Sequence, residues 1–259
     1  MRPYDPDSDP VIAALVAEAQ ADPDVIGLVL MGSRALGEAS HESDYDVIFV
    51  VTDEAIVRYE QQGAQPPRGI LVQGALNTKD IWSDSPRDLK LGSQADWMLP
   101  AYAESRVIYD KTGETTPLID ALRRIPEEQA VAEVAACYDG YLNQLYRSLK
   151  CWRRGNELGA RLEAAIGVHS LLRMLFALER RWCPYMSRLH YHLHHLAGQG
   201  WQPDELAAIV IDLTTTGHPR RQQQLARRVV ALLRDRGQHR VYEDWNGEID
   251  TVLDWEFIA

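Results

Sequence analysis

Two short apolar runs, separated by a polar loop that carries glycine, constrain this chain more than any other feature. The first run is Val25, Ile26, Leu28, Val29 and Leu30, and it stops at Gly32-Ser33. The loop ends in Ser43-Asp44-Tyr45-Asp46, and the second run, Val47–Val51, begins at once. Apolar runs of this length, bounded by turn residues, read as buried strands. Side chains alternate along a strand, so Asp44 and Asp46 share a face and Tyr45 turns away. Two carboxylates at the mouth of a buried strand suit a hard divalent cation, Mg2+ (or Mn2+). Such an ion usually takes one or two protein carboxylates and completes its shell with phosphate and water. Gly32 lets the backbone approach a phosphate, and the N–H groups of Ser33 and Arg34, with the Ser33 hydroxyl, can donate to its oxygens. Asp-x-Asp alone, or Gly-Ser alone, is commonplace. The ordered combination of strand, Gly-Ser, loop, Ser-Asp-x-Asp and strand points to chemistry on a nucleoside triphosphate.

At these residues the chain resembles the DNA polymerase beta-like nucleotidyltransferase superfamily, whose pattern is Gly-Ser, a loop and then Asp-x-Asp. Within it the likeness is to antibiotic nucleotidyltransferases, of aminoglycoside and lincosamide type, and their bacterial relatives. The resemblance extends through Arg106-Val-Ile-Tyr-Asp110. It implies that Asp44 and Asp46 are the catalytic, metal-binding acids. It also implies that Gly32, Ser33, Arg34 and Ser43 hold a nucleoside triphosphate, commonly ATP, whose nucleotidyl group passes to an acceptor hydroxyl. The family has a third carboxylate on a later strand, followed by a Ser/Thr and a short helix. The matching segment here is Gly69-Ile-Leu-Val-Gln-Gly-Ala-Leu-Asn-Thr-Lys-Asp-Ile-Trp82, with Thr78 as the cap of the following turn. Counting back places Gln73 where the acid belongs, and a neutral amide is no general base. Asp80 and Asp84 are nearby carboxylates that a different register would bring there; Asp80 itself reads as a helix-start residue.

Composition and charge narrow the partners. With 259 residues, 46% hydrophobic and 25% charged, the chain has enough material for two packed domains. No stretch approaches the ~20 apolar residues that span a bilayer, and the N-terminal residues lack the apolar core of a signal peptide. Cys137, Cys151 and Cys183 are odd in number and show no metal spacing, so they read as reduced thiols in a soluble cytoplasmic protein without membrane partners. A net charge of −11 argues against a nucleic-acid partner, which calls for a basic face. Arg220, Arg221, Arg227, Arg228, Arg234, Arg236 and Arg240 read as the solvated face of a late helix. An acidic protein attracts a small cationic acceptor, such as an aminoglycoside.

The pattern predicts an α/β (α+β) nucleotidyltransferase domain with a short mixed sheet over 1–116, then an all-α helical bundle over 117–259 that helps to shape an acceptor pocket. In the first part it predicts helices over 11–21, 53–62 and 95–104, a helix start at 85–89, and strands over 25–31, 46–52, 69–77 and 106–110. Beyond Pro126, Val131, Val134, Tyr138, Tyr141, Leu142, Leu145, Leu149 and Trp152 recur at helical spacing up to Gly155-Asn156. Further helices are predicted over 157–181, 186–198, 203–214 and 219–236, with a docked tail carrying Trp245, Trp255 and Phe257. Leu158, Leu162, Ala165, Ile166, Leu172, Leu175, Phe176 and Leu178 supply the apolar pattern of the second long helix.

Within the helical half, Arg173, His169, Glu163 and Glu179 read as structural or surface groups. The first could instead reach the triphosphate, and one of the two glutamates could act as a base. His190 and His194 share a helical spacing but lack an obvious third ligand, so His190, His192, His194 and His195 read as packing and surface residues rather than a zinc site. Tyr185 is a candidate cleft residue. Three functional readings stay open: nucleotidyl transfer to a small molecule such as an antibiotic; nucleotidylation of a partner protein, as by antitoxins of this kind; and a degenerate nucleotide-binding module, which Gln73 supports.

Overall fold

In a computed structural model of the chain, residues 5–40, 43–61 and 81–257 are described. Contacts divide it into two compact units, 1–124 and 125–259.

The first unit is α1 (Pro10–Ala21), β1 (Val25–Leu30), α2 (Gly32–Ala35), β2 (Val47–Val51), α3 (Asp53–Gln61), β3 (Ile81–Asp84), α4 (Leu99–Ala103), β4 (Arg106–Asp110) and α5 (Thr115–Leu122). The strands form one mixed sheet in the order β3-β2-β1-β4. The sheet's two antiparallel ladders join β1 to β2 and β1 to β4, while β2 and β3 run parallel. Both central strands are buried along their whole length, which is why they read as unbroken apolar runs. Asp9 caps α1 through its carboxylate, with Pro10 in the first turn, where a missing N–H costs nothing.

α5 belongs with this unit, because Thr115 packs directly on β1. A Cβ at Gly27 would lie 2.1 Å from Thr115 Oγ1, so only glycine admits that contact. The turn before α5 is tied by Asp110, whose carboxylate accepts from Gly113 N (2.8 Å), Thr116 N (2.9 Å) and Thr116 Oγ1 (2.6 Å). Burial alone would raise the pKa of that carboxyl, but the hydrogen bonds from Thr116, Thr115 and Gly113 outweigh it and hold the group below its ordinary value.

One local expectation is corrected. Residues 85–89 form a turn, not a helix start. The Ser85 hydroxyl and N–H both donate to Asp88 Oδ2 (2.8 and 3.0 Å), so the serine side chain is not free to cap a first turn. The strand beside β2 is Ile81–Asp84, whereas the span predicted as strand, 69–77, lies outside the described residues.

The second unit is α6 (Glu127–Arg153), α7 (Glu157–Leu178), α8 (Leu189–His192), α9 (Pro203–Thr215), α10 (Pro219–Asp235), α11 (Arg240–Asp244) and α12 (Glu248–Leu253). α6 and α7 pack closely where glycines remove side chains: a Cβ at Gly140 would sit 3.3 Å from Ser170 Oγ, and one at Gly167 3.2 Å from Gln144 Cβ. Behind them lies a buried polar chain. Gln222 Nε2 donates to Ser148 Oγ (2.8 Å) and to Gly217 O (2.6 Å), and Ser148 Oγ donates to Ala160 O (2.7 Å). The tail is docked, with Gln223 Nε2 donating to Val252 O and Trp255 O. Leu158, Leu162, Ile166 and Val131, expected in the core, are 72, 56, 53 and 52% exposed. α7 is apolar on more than one face: its first half packs through Ala160, Ala164 and Val168 and leaves Leu158, Leu162 and Ile166 outside, whereas Leu171, Leu172 and Met174–Ala177 in its second half are buried nearly all round. The predicted helix over 186–198 is broken into two 3₁₀ segments around α8. Leu193 and Leu196, buried at a three-residue spacing, suit the tighter coil.

Two measurements check this fold. Asp110→Ala is expected to cost about 1 kcal/mol in denaturant unfolding, the usual worth of a lost cap. Asp84, at the end of β3, is pushed above the ordinary carboxylate range by burial, which hydrogen bonds from Tyr102 Oη and Trp82 Nε1 only partly offset. The folded chain therefore binds that proton more tightly than the unfolded one, and stability falls as pH rises from the ordinary carboxylate range through the raised value. Asp84→Asn keeps an acceptor for both donors and is expected to flatten that decline in unfolding curves taken across pH.

Candidate active site

The candidate site is the lip where β1 ends and β2 begins. Met31 N donates to Asp46 O (2.8 Å), which extends the β1–β2 ladder by one bond beyond the paired residues Leu30 and Val47. The alternation read from the sequence is present: Tyr45 is buried in the core of the first unit, and Asp44 and Asp46 on either side of it are partly exposed. Gly32 follows at φ +65°, in the left-handed region that disfavours every residue with a Cβ. Its second role is spatial. A Cβ there would stand 2.0 Å from Asp46 Oδ2, so the carboxylate occupies the volume that the glycine leaves empty.

Ser33, at the start of α2, is half-buried, and its hydroxyl finds no hydrogen-bond partner among the described residues. The turn behind it is closed by Glu38 N donating to Ser33 O (2.9 Å). Ser43 faces the other way. Its hydroxyl accepts from Ser40 N (2.9 Å), so in this arrangement the side chain closes the loop.

Arg34 differs most from the sequence expectation. Its side chain is buried and turned into the protein: Nε donates to Asp44 O (2.8 Å), Nη2 to Ser43 O (2.6 Å) and Nη1 to Asp9 Oδ2 (3.3 Å). The guanidinium also stacks 3.7 Å above the Tyr45 ring. Tyr45 Oη donates to the same Asp9 oxygen (2.9 Å), and burial together with that bond pushes the phenol up to about 12. The guanidinium therefore holds the loop that carries the acids, which leaves the backbone N–H as what Arg34 can offer a phosphate. Asp9 and Tyr45 were missed as members of this cluster. Asp-Pro before a helix signals a cap, but no spacing in the chain links Asp9 to Arg34.

The donor set fits magnesium shared with a phosphate. It consists of hard oxygens, two carboxylates on one face, beside a glycine turn with an uncommitted hydroxyl. Among the described residues no group of three or more His, Cys, Asp or Glu is placed to hold a metal by itself. Asp84 does not join the lip: in the parallel ladder it pairs with Val50, three residues up the strand from the Val47–Ile81 pair and so about 10 Å away along β2. Gln73 and Asp80 lie outside the described residues.

The other sequence candidates belong to the second unit, and several have partners within it. Arg173 pairs with Glu133 (2.5 Å), Glu163 faces Arg147 (4.0 Å) and Glu179 faces Arg236 (3.5 Å). His194 Nδ1 lies 2.7 Å from Tyr191 O. Of the arginine cluster, Arg228 pairs with Glu205, Arg221 with Asp212 and Arg227 with Asp254, while Arg220 donates to Phe257 O.

Comparison with known proteins adds the following. Residues 95–188 match the family model described as a domain of unknown function (DUF4037), a stretch that begins beyond the lip. No curated protein matches the chain. Among solved structures it is similar to a nucleotidyltransferase-like protein from Exiguobacterium sibiricum 255-15. That protein is 15% identical, with a TM-score of 0.41, and the match covers 94% of this chain and 77% of that one. No helix among the described residues is long and apolar enough to cross a membrane.

Gly32→Ala tests the lip directly. The left-handed backbone and the overlap with Asp46 are expected to lower stability by about 1–2 kcal/mol in denaturant unfolding. Wild-type stability would mean that the turn does not depend on glycine.

Proposed function

We propose that the chain is a magnesium-dependent nucleotidyltransferase that moves a nucleoside monophosphate from a nucleoside triphosphate, ATP by preference, to a hydroxyl of a small-molecule acceptor. The supporting observation is the packing of the Asp46 carboxylate into the space left by Gly32, which brings an acid, the glycine turn and the Ser33 hydroxyl to one lip. Asp44 and Asp46 would hold the ion, and Ser33 with the adjoining backbone N–H groups would hold phosphate oxygens. When bound, magnesium neutralises charge on the triphosphate and on the departing pyrophosphate. The chain's own part is to fix the donor for in-line attack on the α-phosphate and to keep the two acids from relaxing apart. With a net charge of −11, the protein favours a cationic acceptor, the aminoglycoside class among them.

The degenerate reading rests on Gln73, which lies outside the described residues. Nucleotide binding with no transfer to any acceptor would select it.

Labelled ATP with magnesium and a panel of hydroxylated acceptors tests the proposal. Pyrophosphate release that requires a small molecule supports it, whereas label on a polypeptide selects the partner-protein reading. Asp44→Asn and Asp46→Asn are each expected to lower transfer at least a hundred-fold and to leave the unfolding curve in place. Full activity in either lip mutant would refute the site.

A further inference from the structure

The cluster behind the lip suggests a job for a residue far from it in sequence. Arg34 and Asp9 form an ion pair in which each side chain is only 8% exposed. Burying that pair is worthwhile only if the geometry is good and the remaining donors are satisfied, and here they are. Three nitrogens of the guanidinium are committed, two of them to the carbonyls of Ser43 and Asp44, the peptide units on either side of the first acid. The partner, Asp9, divides its two oxygens. Oδ1 accepts from Val11 N (2.8 Å) and Ile12 N (3.4 Å), capping α1, and Oδ2 accepts from Arg34 and from Tyr45 Oη. Tyr45 is itself the residue between the acids. The loop is thus gripped at Ser43, Asp44 and Tyr45 by one arginine and one aspartate, and the aspartate is anchored to the end of a helix.

Resting on the nucleotidyltransferase reading of the lip, we propose that Asp9 is a positioning residue: through Arg34 and Tyr45 it sets the direction in which Asp44 and Asp46 present their carboxylates. The start of α1 is then the fixed point against which the acids are aimed. Two carboxylates sharing one ion with a phosphate need their oxygens pre-set. A loop free to swing would spend binding energy on ordering itself when nucleotide and metal arrive. The strut does that ordering in the empty protein. It also explains an arginine in a position where the sequence suggests a phosphate ligand: the planar fork reaches two carbonyls and a carboxylate at once, which a lysine cannot do.

The substitution Asp9→Asn separates the two duties of this residue. Asparagine is as good a helix cap as aspartate, so α1 is retained, while the charge opposite Arg34 is lost. The readout is the magnesium concentration that half-saturates ATP binding in calorimetry, followed beside the unfolding midpoint. Asp9→Asn is expected to raise that concentration about ten-fold or more, and Arg34→Lys, which keeps the charge but not the fork, to do likewise. Tyr45→Phe, which removes a single hydroxyl, is expected to give a smaller rise. A lower unfolding midpoint with an unchanged magnesium requirement in Asp9→Asn would overturn the proposal, because a purely structural residue behaves in that way. Should Asp9→Asn fail to fold, Arg34→Lys and Tyr45→Phe decide: a wild-type requirement in both overturns it. If the wild-type protein shows no magnesium-dependent ATP binding, the reading of the lip itself has failed, which is a different result.

Discussion

Arg34 carries a full charge into a place that water scarcely reaches, and the lip is organised around answering it. A buried guanidinium without partners would cost far more than a small unit can spare. Its donors are met by two loop carbonyls and a carboxylate, and its face by an aromatic ring. Between Met31 and Tyr45 no other described residue is buried, and Ala35 is only partly buried against the apolar core. The polar cluster therefore takes the part that a hydrophobic plug plays elsewhere. The same constraint explains why α1 begins where it does, since Asp9 is at once its cap and the arginine's counter-ion.

The sheet supplies the rigid side of the lip. β1 and β2 are buried on both faces, and their antiparallel ladder runs on through the Met31–Asp46 bond to the edge of the site. Beyond that bond the backbone has to turn sharply without colliding with Asp46, and glycine satisfies both demands. Glycine here serves the acid as well as any phosphate. The parallel partner β3 is reached only after a long crossover that includes α3, as parallel pairing requires. Such a connection lets the strand's register be chosen by long-range contact rather than by a turn.

The helical unit shows the same division of labour. α10 is sharply amphipathic, with charged residues outward and Leu225, Ala226, Val229, Val230 and Leu233 inward, and its arginines are spent on neighbouring carbonyls and carboxylates. Gln222 and Gln223 are buried because each satisfies backbone or hydroxyl groups that the packing would otherwise strand.

Much of this was legible in the chain. Apolar runs marked β1 and β2, alternation put Asp44 and Asp46 on one face, and the three-and-four spacing marked α6, α7, α9 and α10, because each of these signals is written in neighbouring residues. Where two states were close in local preference, the reading failed. The segment 85–89 had a cap signal but a side chain otherwise engaged, and 186–198 had helical spacing that fitted 3₁₀ coil as well. The exposed leucines of α7 were illegible because a helix apolar on more than one face does not say which face will pack. By itself the sequence determined the strand–turn–strand unit, the paired acids and the helical half, since periodicity and turn chemistry act over a few residues. Only the tertiary structure decided that Arg34 faces inward to Asp9, 25 positions earlier, and that Ile81–Asp84 pairs with β2. Pairings across such distances depend on which surfaces the folded chain brings together, and no local pattern encodes them.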